Sequence, residues 1–355
     1  MAGVYIHIPY CKQRCSYCAF VSGAPLSSQS LYVQRLKEEM RSRLNKLVTI
    51  DTVYVGGGTP SMLKRGLLTD IFHTLSDLAA TNAKEITVEC NPDSVDEEFV
   101  EEILSLNVNR VSIGLQTDND KLLKAVNRPH DKASFLRAWD LLERISNKSV
   151  DVMLGLPHQT LDDVAHTADF VTSLKPQHIS AYSLAVEQDT PLQKSGFIAD
   201  DDGEADMYDL LVKKLSECGY KRYEVSNFCL DGFESKHNGS YWDLSDYYGF
   251  GVSAHSLVGG VRIANTDSID EYLCGKTAVS AEKCNYPEEY VMLSLRTSKG
   301  ISLSKLLSYG CDILTEKKKE VERLLDRNLI YIEGDKLALT EGAYYLMNDV
   351  ITDLM

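Results

Sequence analysis

The chain has 355 residues, 44% of them apolar, with 52 Asp and Glu against 37 Lys and Arg and a net charge of −15. That is enough apolar material for one large core with an appendage, and the acidic balance excludes nucleic acid as the main partner. No apolar run approaches the ~20 residues that span a bilayer, and nine cysteines without a leader ahead of them point to a reducing, cytoplasmic setting.

An extended apolar run over 4–8 leads straight into Cys11, Cys15 and Cys18. Thiolates are the usual protein ligands of iron–sulfur clusters, and a cubane has four irons, so three cysteines leave one iron open to another ligand. A zinc site would want a fourth ligand in a second pair, but Cys90, Cys218, Cys229, Cys274, Cys284 and Cys311 are scattered singly. A helix follows, with Leu36, Met40, Leu44 and Leu47 on one face and Ser28 or Ser30 to cap it.

Further strands are expected at 52–55, 85–89, 110–115, 150–156 and 178–184, with amphipathic helices over 63–78, 97–106, 132–145 and 161–174. The second strand runs into Gly56, Gly57, Gly58, Thr59 and Pro60. Consecutive glycines let a ligand approach the backbone and use its polar groups, although a tight turn alone explains them as well. The third strand ends on Glu89, which can meet an ammonium or simply face water; the fourth ends on Gln116 and is followed by Arg128, whose planar fork suits a carboxylate. Asp151 lies in the fifth strand.

Strands alternating with helices imply parallel pairing and right-handed crossovers. Six units fall short of the eight that close a barrel, so the expected fold is α/β, an open, partial (β/α)6 TIM-like barrel with chemistry at the strand C-terminal ends. Past residue 200 the pattern changes, with a helix over 206–218 and a short edge strand at 223–225. A segment over 227–260, rich in Gly, Tyr, Ser and His, reads as a functional loop region. The remainder from 287 reads as three helices and a hairpin, 329–332 with 337–339, which resembles a winged helix. Its Lys317, Lys318 and Lys319 read as a solvated helix face. The division is 1–200, 201–285 and 286–355.

In combination, the cysteine loop, the Gly-Gly-Gly-Thr-Pro turn, Glu89, Gln116, Arg128 and Asp151 resemble the radical S-adenosylmethionine (radical SAM) enzymes. More narrowly, the whole chain resembles the branch containing oxygen-independent coproporphyrinogen III oxidase and the HemW heme chaperones. The resemblance implies a [4Fe-4S] cluster on Cys11, Cys15 and Cys18, with S-adenosylmethionine (SAM) on the fourth iron and an electron donor of the flavodoxin or ferredoxin type. It places SAM against Tyr5, Gly57, Gly58, Thr59, Glu89, Gln116, Arg128 and Asp151, with Ala185 added by its spacing after the sixth strand.

The oxidase pattern has a fourth cysteine two positions after the third, where this chain has Phe20. His237, Asn238, Tyr241 and Trp242 match the His-Asn-x-x-Tyr-Trp signature of the chaperone group. Imidazole is a common heme-iron ligand, and Tyr and Trp offer flat apolar faces to a porphyrin. His237, Tyr241 and Trp242 are therefore the heme candidates, with His255 as an alternative ligand and a packed, hydrogen-bonded loop histidine as the plainer reading. The resemblance implies a heme chaperone that serves apo-hemoproteins such as respiratory cytochromes. A porphyrin oxidase, or a radical SAM enzyme acting on another small molecule or peptide, is the alternative. Dimer formation and peripheral membrane attachment stay open.

Overall fold

In a computed structural model of the chain, residues 1–355 are described, the side chain of Asp201 excepted. Six parallel strands, β1 (Ala2–Ile8), β2 (Thr49–Gly57), β3 (Ala80–Cys90), β4 (Arg110–Gln116), β5 (Asn147–Leu154) and β6 (His178–Ser183), lie side by side in chain order. β1 and β6 do not pair with each other, so the barrel is open, as the six-unit count predicts.

Helices Gln29–Arg43, Leu67–Leu78, Glu97–Ser105, Lys132–Leu141 and Leu161–Ser173 fill the crossovers. Several begin where an acceptor side chain meets an orphan N–H: Asp96 accepts from Phe99 N–H, and Asp131 and Thr160 form capping boxes. Ser28 sits at the N-cap of the first helix without a side-chain cap, because its hydroxyl bonds Pro25 O instead. That helix stops at Arg43, so Leu47 lies beyond it and is 92% exposed, whereas Leu36 and Met40 are fully buried.

Along the strands, Val53, Val55, Val88, Val111, Ile113, Val150, Val152 and Ile179 join the helices in one core. Residues alternating with them, among them Thr52, Tyr54, Thr87, Glu89, Ser112, Asp151 and Ser180, take the opposite face and line the lumen. Parallel strands are usually apolar on both faces; here the lumen is polar.

Six further strands extend the sheet: β7 (Lys221–Arg222), β8 (Asn227–Cys229), β9 (Tyr247–Phe250), β10 (His255–Val258), β11 (Val261–Asn265) and β12 (Ala278–Lys283). β8 and β7 continue antiparallel beyond β6, while β9 pairs parallel to β1 and carries β10, β11 and β12 outward. The segment 227–260 is therefore not a loop region. It holds β8, a helix Lys236–Trp242, β9 and β10. The expected strand at 223–225 is also displaced, since the pairing segments are β7 and β8 and Glu224 forms only a single bridge to Thr297. Hydrophobic alternation over so few residues could not fix the register.

A second core gathers the C-terminal helices Tyr286–Ser294, Leu303–Ser308, Lys318–Asp326 and Met347–Leu354 with a small antiparallel sheet. Its strands β13 (Ile301–Ser302), β14 (Ile330–Glu333) and β15 (Lys336–Leu339) run in the order β13-β15-β14. Helix, strand, further helices (with a single turn, Ile313–Glu316, between the longer two) and a hairpin in that sequence resemble the winged-helix order. Among the described residues, no helix is long and apolar enough to cross a membrane.

Candidate functional site

A cavity of about 530 Å3 opens at the C-terminal ends of the barrel strands. Cys11, Cys15, Cys18, Gly57, Gly58, Glu89, Gln116, Arg128, Asp151 and Ala185 all line it, although they come from loops and strands scattered over 175 positions. Thr59 stands just behind, its hydroxyl 3.4 Å from Cys11 Sγ. Tyr5 lies one layer lower, its hydroxyl bonded to His7 Nδ1 at 3.1 Å and its ring against Tyr54.

The cysteine loop is irregular, and it is fixed by hydrogen bonds to the segment before Arg128. Ser16 N–H donates to Val126 O, Asn127 Nδ2 donates to Arg14 O at 2.9 Å, and the Arg14 guanidinium donates to Cys18 O. Among the described residues no three His, Cys, Asp or Glu side chains could hold one metal ion. A cubane asks for something else: each thiolate takes a different iron, so the sulfurs need only border a common space, as these three do.

The glycine turn works through close approach. Gly57 has φ +107, and a Cβ there would meet the His7 ring at 2.5 Å. One on Gly58 would meet Ile8 O and Tyr10 O at 2.8 Å. Both N–H groups are already used, Gly57 donating to Glu89 Oε2 and Gly58 to Ile8 O. The pair therefore offers a ligand close approach rather than free N–H groups.

Glu89 is fixed from two sides, accepting from Gly57 N–H at 3.1 Å and from the Tyr54 hydroxyl at 2.7 Å. Burial pushes its carboxyl up to about 7, against the partial relief of those hydrogen bonds. Burial also raises Asp151, whose Oδ1 accepts from the Ser112 hydroxyl at 2.9 Å. Arg128 donates to Gly114 O, to Asn91 Oδ1 and, at 3.6 Å, to Cys15 Sγ, while its Nε is buried without a partner. Arg110 is 2% exposed in the lumen, and its Nε and Nη1 have no hydrogen-bond partner among the described residues. Its charge favours the ionised forms of Glu89 and Asp151.

SAM carries an ammonium, a sulfonium and a carboxylate. The carboxylates of Glu89 and Asp151 and the guanidinium of Arg128 face the cavity and complement that pattern in sign, and three thiols beside them supply the cluster donors. The residues fit both groups. Sequence reasoning missed Tyr54 and Asn91. Tyr54 was hidden by the ordinary alternation of β2. Asn91 looked like half of a routine Asn-Pro turn, yet its amide joins Thr59 Oγ1 to Arg128.

The His-Asn-x-x-Tyr-Trp motif contributes none of its own residues to the lining of this cavity. Its helix, Lys236–Trp242, lies beneath the cavity floor, against β2 at Thr52 and Tyr54. His237 is fully buried, with Nδ1 sharing a hydrogen bond with Thr52 Oγ1 at 2.8 Å and Nε2 one with the Tyr241 hydroxyl at 2.7 Å. Burial, with help from Arg110, lowers its pKa to about 3. Trp242 borders a second cavity, about 770 Å3, between this helix and the C-terminal part, walled also by Tyr290, Lys236, Lys299 and Lys305. The indole Nε1 is buried without a partner. His255 is exposed at the start of β10.

An open parallel barrel with three cysteines after its first strand and a glycine turn after its second is the architecture of a radical SAM protein. Residues 5–171 match the radical SAM superfamily, and residues 283–346 match the HemN C-terminal domain. The chain is 32% identical to the heme chaperone HemW of Lactococcus lactis over 98% of its own length and 95% of that protein. Against the heme chaperone HemW of Bacillus subtilis the identity is also 32%, covering 99% of this chain and 98% of the relative. The chain belongs to the HemW family. Among solved structures, coproporphyrinogen III oxidase (HemN) from Escherichia coli superimposes with a TM-score of 0.87 over 99% of this chain and 89% of that one, at 19% identity. That likeness establishes the shared fold.

Proposed function

We propose that this protein is a heme chaperone that binds heme and passes it to apo-hemoproteins such as respiratory cytochromes. The observation that carries the reading is the end-to-end match, at 32% identity, to proteins named heme chaperone HemW. Cys11, Cys15 and Cys18 hold a [4Fe-4S] cluster in this reading. Glu89 receives the SAM ammonium, Arg128 its carboxylate and Asp151 its ribose, while Gly57 and Gly58 border the head group. When bound, cluster and SAM supply the means for reductive cleavage of a C–S bond. An electron donor of the flavodoxin or ferredoxin type serves the cluster.

Phe20 supports the choice of chaperone over oxidase. It lines the cavity and is 67% exposed where the oxidase pattern has a cysteine. Heme binds at the motif helix, where Trp242 offers the cleft a flat face. His237 would first have to give up Thr52 or Tyr241 before it could ligate iron.

The test is anaerobic cluster reconstitution followed by hemin titration, read by absorbance, and transfer to an apo-cytochrome. Binding and transfer, with coproporphyrinogen III left unconverted, is the expected outcome. A protein that converts coproporphyrinogen III and binds no heme would be an oxidase.

A further inference from the structure

We infer that His237 is a positioning residue of the SAM site: it fixes Tyr54 and, through the Tyr54 hydroxyl, sets the Glu89 carboxylate. The inference rests on the SAM reading of that cavity.

Thr52 and Tyr54 are two residues apart on β2, so both face the lumen. The His237 ring stacks on the Tyr54 ring with centroids 5.3 Å apart and planes at 29°. The Tyr54 hydroxyl then donates to Glu89 Oε1 at 2.7 Å. One imidazole thus supports the ring that orients one of the carboxylates facing the cavity.

His237 is itself held from several directions. Its ring nitrogens share hydrogen bonds with Thr52 and Tyr241. Its backbone N–H donates to Glu85 Oε1 at 2.9 Å and that of Lys236 to Glu85 Oε2 at 3.0 Å. Glu85 is 4% exposed and stands on β3 two pairs of positions before Glu89. Space for the ring is left by Gly3 of β1, where a Cβ would come within 3.2 Å of His237 Cε1. A histidine with both nitrogens engaged and its plane against a tyrosine is built to hold a neighbour in place. A waiting metal ligand would instead keep one nitrogen free.

The placement also gives the signature helix two ends with different surroundings. His237, at its start, reaches the floor of the cofactor site, and Trp242, at its end, borders the cleft toward the C-terminal part.

The experiment uses the full chain with its cluster reconstituted. SAM affinity is measured by equilibrium binding and by the SAM-dependent change in the electron paramagnetic resonance spectrum of the reduced cluster. Wild type is compared with His237→Ala, His237→Gln, Tyr54→Phe and the double variant His237→Ala/Tyr54→Phe. Circular dichroism and iron content are measured in parallel, and His237→Gln serves if the alanine variant does not fold.

Each single substitution is expected to weaken SAM binding roughly tenfold with iron content unchanged, and the double variant to lose little more than the worse single, because both act on one carboxylate. Folded, cluster-loaded His237 variants that bind SAM within about twofold of wild type would overturn the inference. So would losses that multiply fully in the double variant. If wild type itself binds no SAM, the reading of the cavity falls first and the inference falls with it.

Discussion

Glu89 illustrates how a single buried side chain sets function against stability. Its carboxyl is held near 7 by burial, against an ordinary value of 4.5. The folded state therefore keeps the proton more tightly than the unfolded state. Raising the pH from 4.5 forces an ionisation that folding disfavours, and the destabilisation is complete above about 7. SAM reverses the preference, because its ammonium attracts the ionised form. SAM affinity is expected to climb from pH 6 and level off above about 7, by up to tenfold per unit on the rising limb. Glu89→Gln should bind SAM weakly with a flat profile and, without SAM, melt higher than wild type at pH 8. Calorimetric titrations at several pH values, with thermal melts alongside, check both halves.

The residues that point at the cavity were legible in the sequence because they sit at strand ends, where a barrel collects them. Residues that act through another side chain were not. Tyr54 reaches Glu89 and Asn91 reaches Arg128, and neither connection leaves a mark on spacing.

Elements of the barrel were readable for a related reason. Every crossover carries a helix long enough to show its period, and every strand alternates between a helix-facing apolar residue and a lumen-facing polar one. Boundaries followed local chemistry that periodicity does not register. Leu47 continues the apolar stripe of the first helix in sequence, but the helix ends at Arg43, and the side chain is 92% exposed. Leu36, four residues before Met40 on the same stripe, is fully buried. Leu36→Ala should therefore cost about 2–5 kcal/mol, whereas Leu47→Ala should fall within about 0.5 kcal/mol of wild type. Denaturant melts of the two variants would separate them. Between residues 221 and 265 the strands are two to five residues long, too short for alternation to be read, and the segment 227–260 looked like loop.

At the scale of the whole molecule, two cores meet along one stretch of chain. Leu244, Tyr247 and Leu257 belong to the second core, together with Val291, Leu295 and Ile301, yet Tyr247 and Leu257 are strand residues of the main sheet. The C-terminal part is accordingly not an independent ornament. A chain ending at residue 283 is expected to expose that apolar face, bind a hydrophobic dye such as ANS and elute as aggregate on size exclusion. A monodisperse species without dye binding would show that the barrel closes its own surface. Composition could not reveal this, because strands of the main sheet pack into the second core only once both parts are folded.

The pairing of β9 with β1 has a consequence in time. β1 is the first of the six barrel strands to leave the ribosome, and the cluster-binding cysteines follow it at once. Its partner on one side, β2, begins at Thr49, but the other side waits for Tyr247–Phe250. At ordinary synthesis rates of about 5–20 residues per second, that is a delay of roughly ten to fifty seconds. Through that interval β1 is an edge strand with a row of unpaired backbone groups. The motif helix that supports Tyr54 arrives only just before β9. The cysteine loop can thus be made early, but its barrel is finished late, and a nascent chain stalled before residue 250 would present an open edge beside its cluster ligands.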